Sequence, residues 1–134
     1  VGTENLIEIH GNRNKFRCIE CCTRIDRIEN RITKMPDPCL KCGNIMKFDS
    51  VMFGESIPKD VLKSSRMAID SADCVISIGT SSTVRPAAGL LWIAKSQNAK
   101  LIEINISSTK LTEFCDVVIQ GSTSEILPKL FENI

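Results

Sequence analysis

The chain has 134 residues, 43% of them hydrophobic and 25% charged, with a formal net charge of +1. This suits a globular protein of one domain, or one domain with a small lobe, and gives no electrostatic case for nucleic acid or an anionic membrane surface. Aromatic residues are only 4% with no Tyr, so stacking platforms for single-stranded nucleic acid are poorly supplied, and no apolar run reaches membrane-spanning length. The first residues carry neither the basic nor the apolar region of a secretory leader, and a cytoplasmic location is expected. Seven cysteines is a high and odd count, which in a reducing compartment favours metal binding over a disulfide framework.

Leu6, Glu8 and their neighbours read as a short strand over 6–9, ending at His10 and Gly11. Residues 18–42 follow, rich in charge, with Pro36 and Pro38 and two Cys-x-x-Cys pairs, and such a stretch builds no hydrophobic core unaided. Residues 49–53 read as extended and stop at Gly54. Pro58 suits a helix N-terminus, and the helix is expected to run to about Asp70. The β-branched, apolar run over 74–79 reads as a parallel strand buried on both faces. A helix over about 86–97, with Leu90, Leu91 and Ile93 as core candidates, precedes strands at 101–105 and 117–119. A last helix covers about 124–131. The order strand, helix, strand, strand, helix describes part of a doubly wound α/β sheet. The expected class is thus α/β: a partial Rossmann-like parallel sheet with helices, plus a small four-cysteine lobe.

Cys18 and Cys21 are separated by seventeen residues from Cys39 and Cys42. That spacing is the one structural zinc sites use: each Cys-x-x-Cys turn brings two thiolates to one ion, and two turns complete a tetrahedral shell. Four protein ligands leave no open position, so the metal would be structural and would replace the missing core. The alternative is a set of free thiols. Cys22 adjoins a ligand, but the two-residue gap favours Cys21. Cys74 and Cys115, in or beside apolar strands, read as small buried hydrophobes. Trp92 reads as a helix residue packed on the sheet. Arg24, Arg27, Arg31 and Lys34 read as solvating the lobe, or as a small basic patch.

His10 is the only histidine. Its imidazole suits proton transfer near neutral pH, although a histidine at a strand end is more often structural. The string from Ile7 to Asn12 followed by the double Cys-x-x-Cys resembles the sirtuin family. So do the segments Val51-Met52-Phe53-Gly54-Glu55, Gly79-Thr80-Ser81 with Val84 and Pro86, Ile104-Asn105, Cys115-Asp116 and Gly121, in that order. The similarity covers essentially the whole chain.

The resemblance implies an NAD-dependent protein-lysine deacetylase: nicotinamide leaves, acetyl passes to ADP-ribose, and free lysine is released. It implies His10 as the base that takes a proton from a ribose hydroxyl. Val51 and Phe53 would flank an apolar acyl-lysine tunnel. Gly54, Glu55 and Val84 would border the acetylated peptide, bound by strand addition. Gly79, Thr80, Ser81, Asn105, Cys115 and Asp116 would contact NAD, and Cys18, Cys21, Cys39 and Cys42 would hold Zn2+. The expected division is 1–13 for the strand and histidine, 14–50 for the zinc ribbon and 51–134 for the C-terminal part of the NAD-binding domain.

Two further family motifs, a Gly-rich phosphate loop and a Gln-Asn-x-Asp segment, are not found in these 134 residues. The sequence is therefore expected to be an incomplete catalytic domain that binds NAD weakly and needs the missing half, a partner chain or self-association. Phe48 and Met52 stand where the family more often has Pro and Phe. Competing expectations are a non-catalytic zinc-ribbon and peptide-binding module, and an ADP-ribosyltransferase of the same family.

Overall fold

The computed structural model describes residues 3–132, so the outermost residues of the expected first and last segments lie outside it. The chain divides into two compact units, Val1–Lys63 and Ser64–Ile134.

The first unit is a three-stranded antiparallel sheet of order β2-β1-β3, built from β1 (Gly11–Cys18), β2 (Arg24–Asp26) and β3 (Met46–Ser50). Phe16 sits opposite Ile25 on one neighbour and Phe48 on the other, and its ring lies 4.8 Å from that of Phe48. Phe16, Cys18, Cys39 and Met46 form a small buried core, with Ile25 and Ile32 packed against it. No apolar alternation announces β1, because its other face is buried as well: Arg17, between Phe16 and Cys18, is only 5% exposed and is satisfied by ion pairs. The strand expected over 6–9 does not form. Leu6 and Ile7 are exposed, and Gly11 N–H donates to Glu8 O at 2.8 Å, closing a turn where the strand was expected to end. Without a neighbour to bury them, β-forming residues do not make a strand.

Helix α1 (Lys59–Asp70) follows Pro58 and contains the division between the units. The second unit is a parallel sheet of order β4-β5-β6, from β4 (Cys74–Ile78), β5 (Lys100–Asn105) and β6 (Val117–Gln120). Helix α2 (Ala87–Ser96) packs on β4 and β5, and α3 (Thr123–Phe131) on β5. Ala94, Ala99, Leu101 and Leu111 are the buried core, flanked by Ile69, Val75, Leu91 and Trp92. Trp92 also meets Phe114 edge to face at 4.6 Å. The core of α2 is Ala88 and Ala94, while Leu90, Leu91 and Ile93 are half-buried.

Strand β4 is not buried on both faces. It is an edge strand, and register aligns its Ile76 with Ile102 and then Val117 in a row that leaves Ile76 48% and Val117 47% exposed. Cys74, at the start of this strand, is exposed rather than a buried hydrophobe. Among the described residues no helix is long and apolar enough to cross a membrane.

Candidate functional site

In the first unit the four cysteines converge. The sulfurs of Cys18, Cys21, Cys39 and Cys42 all lie within 4.8 Å of one another, with Cys18 and Cys42 at 3.4 Å and Cys21 and Cys39 at 3.6 Å. Zinc–sulfur bonds of about 2.3 Å in a tetrahedron put sulfurs roughly 3.8 Å apart, so the donor set fits that ion. The turns are built for it. Cys39 N–H donates to Asn44 O, Gly43 N–H donates to Cys39 O, and Gly43 takes φ +71°. Cys22, at φ +58°, stands outside the cluster. Hydrogen bonds from the Thr23 side chain and backbone draw the Cys21 thiol down to about 6. The Asn44 amide also draws on Cys42, but the neighbouring thiols outweigh it and push that thiol up to about 12. Four sulfurs this close cannot all be thiolates without a cation between them.

His10 is exposed at the turn before β1, and its carbonyl accepts Val51 N–H at 3.0 Å. The only histidine and the 51–55 segment are thereby held side by side. Gly11 makes this approach feasible: a Cβ there would lie 1.9 Å from Asp49 O, and φ is +78°. Beyond Val51 the chain turns, with Glu55 N–H on Met52 O at 2.9 Å and Gly54 at φ +82°. Phe53 is 98% exposed at the tip.

The Glu55 carboxylate is engaged by Lys47, by Met52 N–H and by Arg17 at 3.0 Å, and the first two hold it below the usual carboxylate range. Arg17 also binds buried Asp49 at 2.8 Å, whose other oxygen takes Arg24 at 2.8 Å, and Arg24 reaches Asp60 at 3.1 Å. Arg24 is therefore part of an ion-pair network and not a freely solvated charge. Pairing within such a network is what allows Arg17 and Asp49 to be buried at all.

In the second unit a cavity of about 720 Å³ opens at the C-terminal ends of β4 and β5. Gly79, Thr80, Ser81 and Thr83 line one side, and Asn105, Ser107, Ser108, Thr109, Lys110 and Glu113 the other. Ends of parallel strands are where such sheets take ligands. Gly79 turns the chain at φ +59°, its N–H on Ile104 O at 3.0 Å. Asn105 is braced at both ends of its amide, Nδ2 on Thr80 O at 2.8 Å and Oδ1 accepting Ile106 N–H at 2.9 Å. Ser77, buried under the first loop, has its hydroxyl 3.5 Å from that of Ser82.

Of the six residues expected on the nucleotide side, Gly79, Thr80, Ser81 and Asn105 share this cavity, whereas Cys115 and Asp116 do not line it. Cys115 packs against the core, where burial pushes its thiol up, and its Sγ donates to Leu111 O. Asp116 precedes β6 at the opposite end of the sheet. Leu101 N–H, Lys95 and Lys100 bind its carboxylate and hold it far below the usual range. Val84 is 48% exposed, one residue past the cavity wall.

Arg17 and Asp49 in the first unit, and in the second Glu103 with the Thr109 and Thr112 hydroxyls that bond its carboxylate, went unread in the sequence. Glu103 had a visible signal, a carboxylate inside an otherwise apolar strand. Arg17 had none, since it sits in a polar stretch.

The Sir2 family model matches residues 1–86. An NAD-dependent protein deacylase of Thermococcus kodakarensis is 34% identical over 140 residues, which takes in 99% of this chain and 54% of that protein. A crystal structure of a Sir2 homolog–NAD complex matches 98% of this chain and 52% of its own with TM-score 0.83 at 34% identity. A Sir2 complex with a p53 peptide and NAD+ matches 98% of this chain and 56% of its own with TM-score 0.78 at 25% identity. The chain spans about half the length of these relatives. The ordered motifs, the cysteine cluster and the two folded units are accounted for together: the chain belongs to the Sir2 family.

Proposed function

We propose that this chain forms the zinc-ribbon lobe and the C-terminal part of the NAD-binding domain of an NAD-dependent protein-lysine deacylase of the cytoplasm. One observation carries the reading: the Gly79-Thr80-Ser81 turn and Asn105, far apart in sequence, line a single hydroxyl-rich cavity at the ends of parallel strands. Hydroxyls on both walls and one lysine suit the ribose and phosphate oxygens of a dinucleotide. NAD, when bound, supplies the ADP-ribosyl group that accepts the acyl group as nicotinamide departs.

The residues of the first unit have the complementary task. His10 is solvent-accessible, and a neutral imidazole there can take a ribose proton. Segment 51–55 offers a peptide an open edge, since Gly54 has nothing within 4 Å of a Cβ position, and half-buried Val51 with exposed Phe53 suits an uncharged acyl chain. With the Glu55 carboxylate engaged and its N–H on Met52 O, its carbonyl oxygen, not its charge, is what it offers a peptide. The half-exposed Ile76 and Val117 support the expectation of a covering partner, whether further residues, another chain or a second copy.

The test is nicotinamide release from NAD with an acetyl-lysine peptide by this chain together with the N-terminal half of a relative, with His10→Ala as control. Release that needs both the peptide and His10 is expected. Release without peptide, with label from NAD transferred to protein, would favour the ADP-ribosyltransferase reading. Stoichiometric peptide binding with no release, even when the N-terminal half of a relative is supplied, would favour a binding module.

A further inference from the structure

Glu103 is 1% exposed, in the middle of an apolar strand, and takes no part in the chemistry proposed above. A carboxylate in that position is costly unless its oxygens are occupied. Both are: Oε1 accepts from the Thr109 hydroxyl and Oε2 from the Thr112 hydroxyl. Each hydroxyl in turn accepts a backbone N–H of the same loop. Leu111 N–H donates to Thr109 Oγ1 at 3.0 Å, and Thr109 N–H donates to Thr112 Oγ1 at 2.7 Å. One buried anion thus fixes two side chains and, through them, two backbone amides between β5 and β6.

The loop so fixed is the cavity wall that carries Ser107, Ser108 and Lys110. The strand position of Glu103 also matters. In a dinucleotide fold, an acidic residue some distance beyond the glycine turn is ordinarily sought on the ribose. Here that carboxylate is consumed inside the protein, and Asn105, two residues on, reaches the cavity instead. We propose that Glu103 is a positioning residue for the cavity: by clasping Thr109 and Thr112 it sets the Ser107, Ser108 and Lys110 wall against the ribose-phosphate part of a nucleotide. This rests on the reading of the cavity as a nucleotide site.

The charge is essential to the clasp. An ionised carboxylate accepts from both hydroxyls at once, whereas an amide offers one acceptor and one donor. Glu103→Gln keeps the volume but leaves one hydroxyl proton without an acceptor, and Glu103→Ala leaves both. The effect should grow in that order.

The experiment is NMR titration of the chain with ADP-ribose, which reads even weak affinity, alongside thermal unfolding. Glu103→Ala is expected to weaken binding about tenfold or more, and Glu103→Gln by less. Thr109→Val and Thr112→Val, which retain the buried carboxylate's second partner, provide readable variants if Glu103→Ala fails to fold. The comparison variant is Ala68→Gly, at an exposed position in α1 that does not line the cavity, where glycine weakens the helix. It should lower the melting temperature with unchanged ADP-ribose affinity. Equal affinity in wild type and in every clasp variant would overturn the role of Glu103. So would an affinity loss in Ala68→Gly matching theirs. Failure of wild type itself to bind ADP-ribose would instead overturn the nucleotide reading on which the role depends.

Discussion

The side-chain amide of Asn105 donates to the carbonyl oxygen of Thr80 at 2.8 Å, tying the end of β5 to the loop that follows β4. The same amide accepts Ile106 N–H. Asn105→Ala should therefore cost about 1 kcal/mol of stability. Asn105→Asp should cost more, because a carboxylate replaces the donor facing Thr80 O. Urea denaturation of the two variants checks both the loss and its order.

Glycine is demanded unequally along the first unit. Gly11 and Gly54 both take positive φ, but a Cβ at Gly11 would lie 1.9 Å from Asp49 O, while Gly54 has open space. Gly54→Ala should cost only about 1 kcal/mol, from the left-handed backbone alone. Gly11→Ala should cost roughly 3 kcal/mol or more, because β3 must move away from β1. Thermal unfolding at constant zinc concentration separates them.

Arg17→Met removes one of the two cations that compensate buried Asp49. Breaking a buried pair from one side typically costs about 3–5 kcal/mol, and this variant should fall in that range. Adding Asp49→Asn should recover part of the loss, which a double-mutant cycle in urea measures directly. Additive losses would show that Arg17 and Asp49 are not coupled.

Asp116 carries the clearest pH dependence in the second unit. Leu101 N–H, Lys95 and Lys100 favour its charged form, so its folded pKa lies far below its unfolded one. A group depressed in this way contributes stability that is present above the ordinary aspartate range and lost as pH falls through and below it. Wild type should lose stability progressively from about pH 5 downward. Asp116→Asn should start less stable at neutral pH and show a flatter acid limb. Thermal melts from neutral to acid pH check the slopes.

The second unit was largely legible in the sequence, because its elements depend on their own periodicity and on end signals such as Pro58. Strand β5, with its row of β-branched residues, and helices α1 and α2 lie within a residue or so of where they were expected. The first unit was not legible in the same way. Its strands are held by a metal-ligand cluster and by Arg17, Asp49 and Glu55, contacts that join residues far apart in the chain and leave no local pattern. The cysteine spacing alone carried the lobe. At the candidate nucleotide site, the Gly79 turn and Asn105 were readable as motifs. The Glu103 clasp was not, since its partners are threonines in a loop whose path no periodicity sets.

Strand β1 pairs with β3 across the entire cysteine-bearing stretch, with Gly11 opposite Ser50 and Phe16 opposite Phe48. During folding, this pairing has to be reached against the entropy of closing a long, polar loop that offers little collapse of its own. A metal gathering Cys18, Cys21, Cys39 and Cys42 acts as a clip that shortens that loop before the strands meet. The order of events then differs between the two units. The parallel sheet can assemble from its own apolar residues, whereas the ribbon would fold the faster the more zinc is at hand.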